Sequence, residues 1–152
     1  MTEVERIADN LRRVYSDAWY GPSLEQLLNR FTPEQAAARP LPHRHSAWEL
    51  VLHLAANIDW VRHRLGGRVV ELSPAEDWPA VGEVSAPAWR AARARLAASH
   101  GDLLHLVAAL ADAQLAEIVP GRTYPVHVML LGIAGHNAYH AGQLALLARS
   151  DA

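Results

Sequence analysis

Apolar residues recur every three or four positions over most of this chain, the spacing that places them on one face of an α-helix. Four long segments show this spacing: 4–18, 47–65, 86–110 and 125–149. Shorter helices are expected at 23–31 and after Thr32-Pro33-Glu34-Gln35, a sequence that caps the start of a helix. Only 68–72 has strand character, and it is isolated. We therefore predict an all-α protein, a four-helix bundle forming one domain over residues 1–152.

Residues 68–85, between the second and third long helices, interrupt the helical pattern. They contain Pro74, Pro79, Gly82 and an isolated tryptophan, Trp78. Proline and glycine end or break helices, so little helical structure is expected here. We predict a long ordered loop, of a kind that can overhang a site.

Composition narrows the chemistry that the chain can perform. Acidic residues number 16 and basic residues 14, all arginine, so no positive surface for DNA or RNA is expected. The absence of lysine and cysteine excludes Schiff-base chemistry, disulfides and a thiolate nucleophile or ligand. Any metal site must therefore use histidine, carboxylate and water. With no signal sequence and no run of about 18 apolar residues, we expect a cytoplasmic protein that does not enter a membrane.

Two histidines four residues apart are the strongest chemical feature of the last long helix. His136 and His140 lie one above the other on a helix, which suits two imidazoles binding one metal ion. His140 falls near the middle of the apolar face, and His136 falls at its flank. An unpaired buried polar group costs about 1–3 kcal/mol, so both rings need partners. A metal ion supplies both, and we favour it over two hydrogen-bonded core histidines.

A third ligand is expected from a facing helix. His53 lies at the margin of the apolar face of the second long helix, whereas His63 lies on its solvent side. His100 interrupts the apolar face of the third long helix and is an equal candidate. The helical wheel does not choose between His53 and His100. The other histidines fall on connectors or away from apolar faces and are expected to be solvated: His43, His45, His105 and His127.

Three further polar residues border the same faces. Glu49 lies one turn before His53, where it would orient the imidazole or act as a base, but the capping sequence Ser46-Ala47-Trp48-Glu49 also explains it. Asn57 lies one turn after His53 and is either a ligand-supporting or substrate-binding amide or an ordinary amide on the helix flank. Gln143 follows His140 by three positions and is expected to support a ligand or to bond a neighbouring helix.

These residues together resemble the DinB/YfiT-like superfamily. The resemblance lies in Ser46-x-Trp48-Glu49-Leu50-x-x-His53-Leu54-Ala55 and His136-x-x-Tyr139-His140-x-Gly142-Gln143, with 19–24, 32–40 and Asp77-Trp78-Pro79 also similar. It implies a four-helix bundle of unusual topology, often dimeric, with one divalent metal held by three histidines. Carried over to this chain, those ligands are His53, His136 and His140, which favours His53 over His100.

The resemblance implies a metal-dependent enzyme without naming one reaction. Relatives include enzymes that use a low-molecular-weight thiol, and many members have only the general description of metal-dependent hydrolase. Zinc and nickel both suit imidazole, and three protein ligands leave room for water or a thiol. Because the chain lacks cysteine, any reacting thiol would be a cosubstrate.

We expect a small-molecule substrate, a homodimer, and no nucleic-acid or membrane partner. A second hypothesis is a non-catalytic dimeric module that binds a metal or a small ligand. A third, a DNA-binding repair factor, would require steeply salt-dependent DNA binding, and the mild acidity of the chain argues against it.

Overall fold

Seven α-helices and one 3₁₀ helix make up the regular structure of residues 1–150, the part of the chain that the computed structural model describes. The α-helices are α1 (Glu3–Ser16), α2 (Leu24–Leu28), α3 (Pro33–Ala37), α4 (Ala47–Leu65), α5 (Pro74–Asp77), α6 (Ala86–Ala108) and α7 (Val126–Ser150). The 3₁₀ helix spans Asp112–Ala116. Within this range no strand forms, and one isolated bridge joins Ile118 to Pro125. The predicted all-α class is confirmed.

Capping residues fix where the helices begin. At the start of α4, the Ser46 hydroxyl accepts a hydrogen bond from the Glu49 amide at 3.1 Å, and the Glu49 carboxylate accepts one from the Ser46 amide at 2.7 Å. Thr32 and Gln35 form the same reciprocal pair before α3. Both predicted capping sequences are confirmed. The start of α4 sets the direction in which its later residues face, including His53.

The four long helices enclose the core. Helix α1 packs against α6 and α7, and α4 packs against the same two helices, so α1 and α4 lie diagonally opposite. The predicted apolar face of α7 is buried throughout: Val126, Met129, Leu130, Ile133, Leu144 and Leu147. This packing directs the inner faces of α4 and α7 toward each other.

The structure differs from the sequence prediction at some element ends. Helix α1 ends at Ser16, before the end of the predicted segment 4–18, because Asp17 leaves helical geometry and the following Trp19 is 92% exposed, with no core contact to extend the helix. The predicted loop 68–85 contains the single turn α5, capped by Ser73. The connector between the predicted segments 86–110 and 125–149 contains the 3₁₀ helix.

Arg64 holds the loop after α4 in place. Its buried guanidinium donates to the carbonyl oxygens of Val70 and Pro120 and pairs with Glu71. A buried charge with several hydrogen bonds tolerates little movement of its partners. The first part of the loop is therefore anchored before it reaches α5 and Trp78.

None of the helices within residues 1–150 combines the length and the apolar composition needed to cross a lipid bilayer.

Candidate metal centre

Three histidines from two helices meet between α4 and α7. The Nε2 atom of His136 lies 3.0 Å from that of His53 and 3.2 Å from that of His140. His53 and His140 are buried, and His136 is partly exposed. Two imidazole nitrogens bound to one zinc ion at about 2.0–2.1 Å lie about 2.9–3.4 Å apart. Both of these spacings fit a shared ion, and the candidate ligand atoms of all three rings lie within 4.8 Å of one another.

The other ring nitrogens each lie near an oxygen atom, and we assign the tautomers from these contacts. His53 Nδ1 lies 2.7 Å from the Asp77 carbonyl oxygen, and His140 Nδ1 lies 2.6 Å from Gln143 Oε1. His136 Nδ1 lies 3.5 Å from Asn137 Oδ1. Since these oxygens can only accept, we assign the proton of each ring to Nδ1. Each Nε2 then carries a lone pair, and the three lone pairs point at one another. In metal sites, a hydrogen bond from the other ring nitrogen orients the histidine in the same way.

Burial keeps the two rings on α7 neutral. Together with the neighbouring rings of His140 and His53, it lowers the pKa of His136 to about 4. Burial also lowers the pKa of His140, although the hydrogen bond with Gln143 raises it. A metal binds only the unprotonated form of imidazole. The two rings on α7 are thus in the ligand form at neutral pH.

The predicted loop after α4 covers the histidine site through Trp78. The Trp78 ring lies parallel to His53 with centroids 3.8 Å apart, and parallel to His45 with centroids 3.6 Å apart. Two rings so close to one centroid must lie on opposite faces of Trp78. His45, predicted to be solvated, is exposed but stacked. This prediction for His45 is incomplete because the loop brings Trp78 against it.

Asp77 supports His53 in a way that the sequence reasoning missed. Besides its carbonyl contact, its Oδ1 atom lies 3.1 Å from His53 Nδ1. Asn57 donates from Nδ2 to the same Oδ1 at 2.8 Å and to the His53 carbonyl oxygen at 3.0 Å. Asn57 thus holds Asp77 beside the ligand. The sequence signal that could have identified Asp77 was the family resemblance of the segment Asp77-Trp78-Pro79.

Of the two remaining candidate residues, Gln143 contacts one of the three histidines, and Glu49 does not. Gln143 contacts the ligand His140, the supporting position expected of it. The Glu49 carboxylate is engaged by the Ser46 amide and by Arg39, and it is directed to the start of α4 rather than to His53. Burial alone would raise its pKa, but the bonds from Ser46 and Arg39 hold the pKa of Glu49 below its usual value. Glu49 is therefore ionised at neutral pH and already paired.

His100, the rival third ligand, lies outside the cluster. It is buried on α6 and stacks on Tyr15 with ring centroids 4.5 Å apart. Of the other histidines, His43, His63 and His105 are exposed, as expected. His127, expected to be solvated, is half-buried, and its Nδ1 donates to the Leu115 carbonyl oxygen at 3.1 Å.

Two cavities border the cluster along the groove between α4 and α7. The larger cavity, about 610 Å³, reaches His140 and Gln143 and is also lined by Arg44, His45, Trp78 and Tyr139. The smaller cavity, about 270 Å³, reaches His136 and is also lined by Asn57, Trp60, Tyr124 and Met129. Small molecules therefore have room on both sides of the three histidines.

Comparison with known proteins gives one family. A sequence model of the DinB superfamily matches residues 21–144, a span that contains all three histidines and the covering loop. No curated protein and no solved structure is significantly similar to the chain.

Proposed function

This chain belongs to the DinB superfamily, and we propose that it is a metal-dependent enzyme acting on small molecules. One observation carries the proposal: three Nε2 lone pairs face one another while each Nδ1 faces an oxygen. Without a cation these lone pairs would repel. A divalent ion is the group that satisfies all three at once.

His53, His136 and His140 would hold this ion, and zinc or nickel suits such ligands. When bound, the ion supplies Lewis-acid chemistry. Among the described residues, the cluster contains three metal-binding side chains. Structural zinc sites use four protein ligands, and catalytic sites use three. The number of ligands therefore supports an enzyme over a non-catalytic metal-binding module.

The surrounding residues orient the ligands and border the reaction space. Asp77 and Gln143 hold the rings of His53 and His140, and Trp78 shields one face of His53 from water. The Tyr139 hydroxyl accepts from Gln143 Nε2 at 3.4 Å, which leaves its own proton available. Tyr139 also lines the larger cavity. It is placed to donate that proton to a substrate atom there.

The two cavities favour a reaction between two molecules, the transfer of a small thiol to an electrophile. In this reaction a carbon–sulfur bond forms, the bond to the leaving group breaks, and the proton of the thiol departs with the leaving group. The thiol must be a cosubstrate because the chain has no cysteine. Hydrolysis of an ester or amide is the second candidate, since the larger cavity alone, about 610 Å³, accommodates one organic substrate.

Elemental analysis of protein purified without a histidine tag tests the proposal first. We expect about one divalent ion per chain, lost in His140→Ala. His105→Ala is the matched control, because His105 is exposed and outside the cluster. Wild-type protein that stays metal-free after incubation with zinc or nickel would overturn the proposal. The loaded protein is then assayed with thiols plus electrophiles and with esters and amides. Inactivity in both assays would favour the non-catalytic module.

A further inference from the structure

We propose that Arg44 binds an anionic group of the substrate in the larger cavity, so that the enzyme prefers molecules carrying a carboxylate or a similar oxyanion. This inference rests on the proposed function, because it assigns a substrate class to the same site. It concerns the part of the cavity lined by Leu41, His43, Arg44 and His45, which precede α4 in the chain.

Arg44 has a charge that nothing in the described structure neutralises. Most arginines of the chain pair with a carboxylate, as Arg39 does with Glu49 and Arg62 with Asp59 and Asp102. Within residues 1–150, the guanidinium groups that bond no side chain or carbonyl belong to Arg30, Arg44, Arg90 and Arg149. Of these, Arg44 lines the cavity beside the histidine cluster. Its donors are therefore free for a ligand.

The charged and polar lining of this cavity suits an anion. Arg44 is accompanied by the imidazoles of His43 and His45, and the described residues that line the cavity include no carboxylate. Asp77 adjoins the lining residue Trp78, and its carboxylate accepts from Asn57. The Oε1 atom of Glu49 lies 3.6 Å from His45 Nδ1. Arg39 and the Ser46 amide already engage that carboxylate. The cavity thus presents an unpaired positive charge beside apolar walls, an arrangement that fixes the orientation of a small anionic molecule.

The backbone holds Arg44 at this position. His43 has φ of +59°, a left-handed conformation that costs energy for any residue but glycine. The Arg44 amide closes the turn by donating to the Leu41 carbonyl oxygen at 3.3 Å. His45, the next residue, stacks on Trp78, which stacks on His53. Strained residues persist where surrounding contacts enforce them, often at binding sites. The stack connects the Arg44 turn to a metal ligand.

Two matched thiols test the proposal: 3-mercaptopropionate and its neutral amide, 3-mercaptopropionamide. Binding of each to zinc-loaded protein is measured by calorimetry. We expect the wild-type protein to bind the anion about tenfold or more tightly than the amide, as a charge-assisted contact with arginine would give. Arg44→Gln should remove this preference, and Arg44→Lys should keep part of it. Arg90→Gln is the control, because Arg90 is equally unpaired and exposed but does not line the cavity.

The outcomes separate this inference from the proposed function. Equal binding of the two thiols, binding of neither by protein that retains its zinc, or a preference that survives in Arg44→Gln overturns the anion site. The metal content of the same samples reports on the proposed function independently, since loss of zinc from the wild-type protein would contradict that function alone. Arg44 is exposed, so Arg44→Gln should fold normally, and its thermal unfolding should match that of Arg90→Gln.

Discussion

Trp78 lies flat against His53, with ring centroids 3.8 Å apart and the two planes within 5° of parallel. The two residues belong to different elements, since His53 is in the middle of α4 and Trp78 follows α5. The backbone carbonyl oxygen of the adjacent residue, Asp77, accepts a hydrogen bond from Nδ1 of the same histidine. One loop thus fixes both the plane and the tautomer of His53. The covering loop is part of the candidate metal centre.

Trp78→Ala should weaken metal binding by about tenfold, since residues that orient a ligand typically contribute 10–100-fold to affinity. The variant removes the stacked face of His53 and admits water beside it. Affinity is measured by competition with a chromophoric chelator. Trp78→Phe should retain most of the affinity because it keeps a stacking ring. Trp19→Ala is the control, as Trp19 is 92% exposed. Equal affinity in Trp78→Ala and Trp19→Ala would refute a supporting role for the loop.

Gln143→Leu should also weaken metal binding, by about 10–100-fold. It removes the oxygen that lies 2.6 Å from His140 Nδ1, so that the ring is no longer held in one tautomer and one orientation. Gln143→Glu keeps an acceptor and should bind the metal at least as well as the wild type. The Nδ1 proton of His140 provides a direct measurement by nuclear magnetic resonance. A signal that is unchanged in Gln143→Leu would contradict the assignment.

Local sequence patterns were sufficient for the four long helices but not for the choice of the third ligand. The capping pair Ser46 and Glu49 acts within one turn, so its signal is complete in the sequence. His53 and His100 are both buried, and a helical wheel treats them alike. What separates them is long-range packing, with α7 and the loop beside His53 but Tyr15 beside His100. The family resemblance favoured His53 over His100, a choice that the helical wheel did not make.

The role of Asp77 was missed for a related reason. The backbone carbonyl oxygen of Asp77 accepts a hydrogen bond from His53 Nδ1, and any residue type carries such an oxygen. Its placement depends on α5 and on the Arg64 contacts that anchor the loop. Neither follows from the spacing of apolar residues. The stacking of His45 on Trp78 was missed likewise, because it joins two irregular segments.

His100 should make the metal-free protein sensitive to acid. Burial lowers its pKa to about 4, from an ordinary value of 6.5, and neither ring nitrogen has a hydrogen-bond partner in the described structure. The His100 ring is therefore protonated at a higher pH in the unfolded chain than in the folded chain. The contribution of neutral His100 to the free energy of unfolding is fully present above about pH 6.5. It is lost as the pH falls toward 4, by up to about 3 kcal/mol.

His100→Phe tests this expectation, because phenylalanine keeps the stacking on Tyr15 without an ionisable group. The free energy of unfolding of both metal-free proteins is measured in urea from pH 7 to pH 4. The variant should lose less stability over this range. Since His136 titrates in both proteins, its contribution cancels in the comparison. Parallel stability curves would show that His100 contributes nothing to the acid sensitivity.

Glu49→Gln should separate capping from catalysis. The carboxylate accepts from the Ser46 amide and pairs with Arg39, and the depressed pKa indicates that these contacts favour its ionised form. Because the folded pKa lies below the ordinary value of 4.5, this stabilisation is present above that pH and is lost as the pH falls. At pH 7 the variant should lose about 0.5–1 kcal/mol of stability. Metal affinity and the turnover rate of the loaded enzyme should be unchanged.

Glu76→Gln is the matched control, since Glu76 forms the same capping pair with Ser73 at the start of α5. Both variants replace the acceptor of a capping pair, but only Glu49 lies one turn before a metal ligand. If Glu49 were a base, its variant alone would lose turnover by tenfold or more while remaining folded. A loss of that size in Glu49→Gln, with Glu76→Gln fully active, would show that Glu49 takes part in the reaction. A small loss of stability with full turnover would leave its carboxylate as a helix cap.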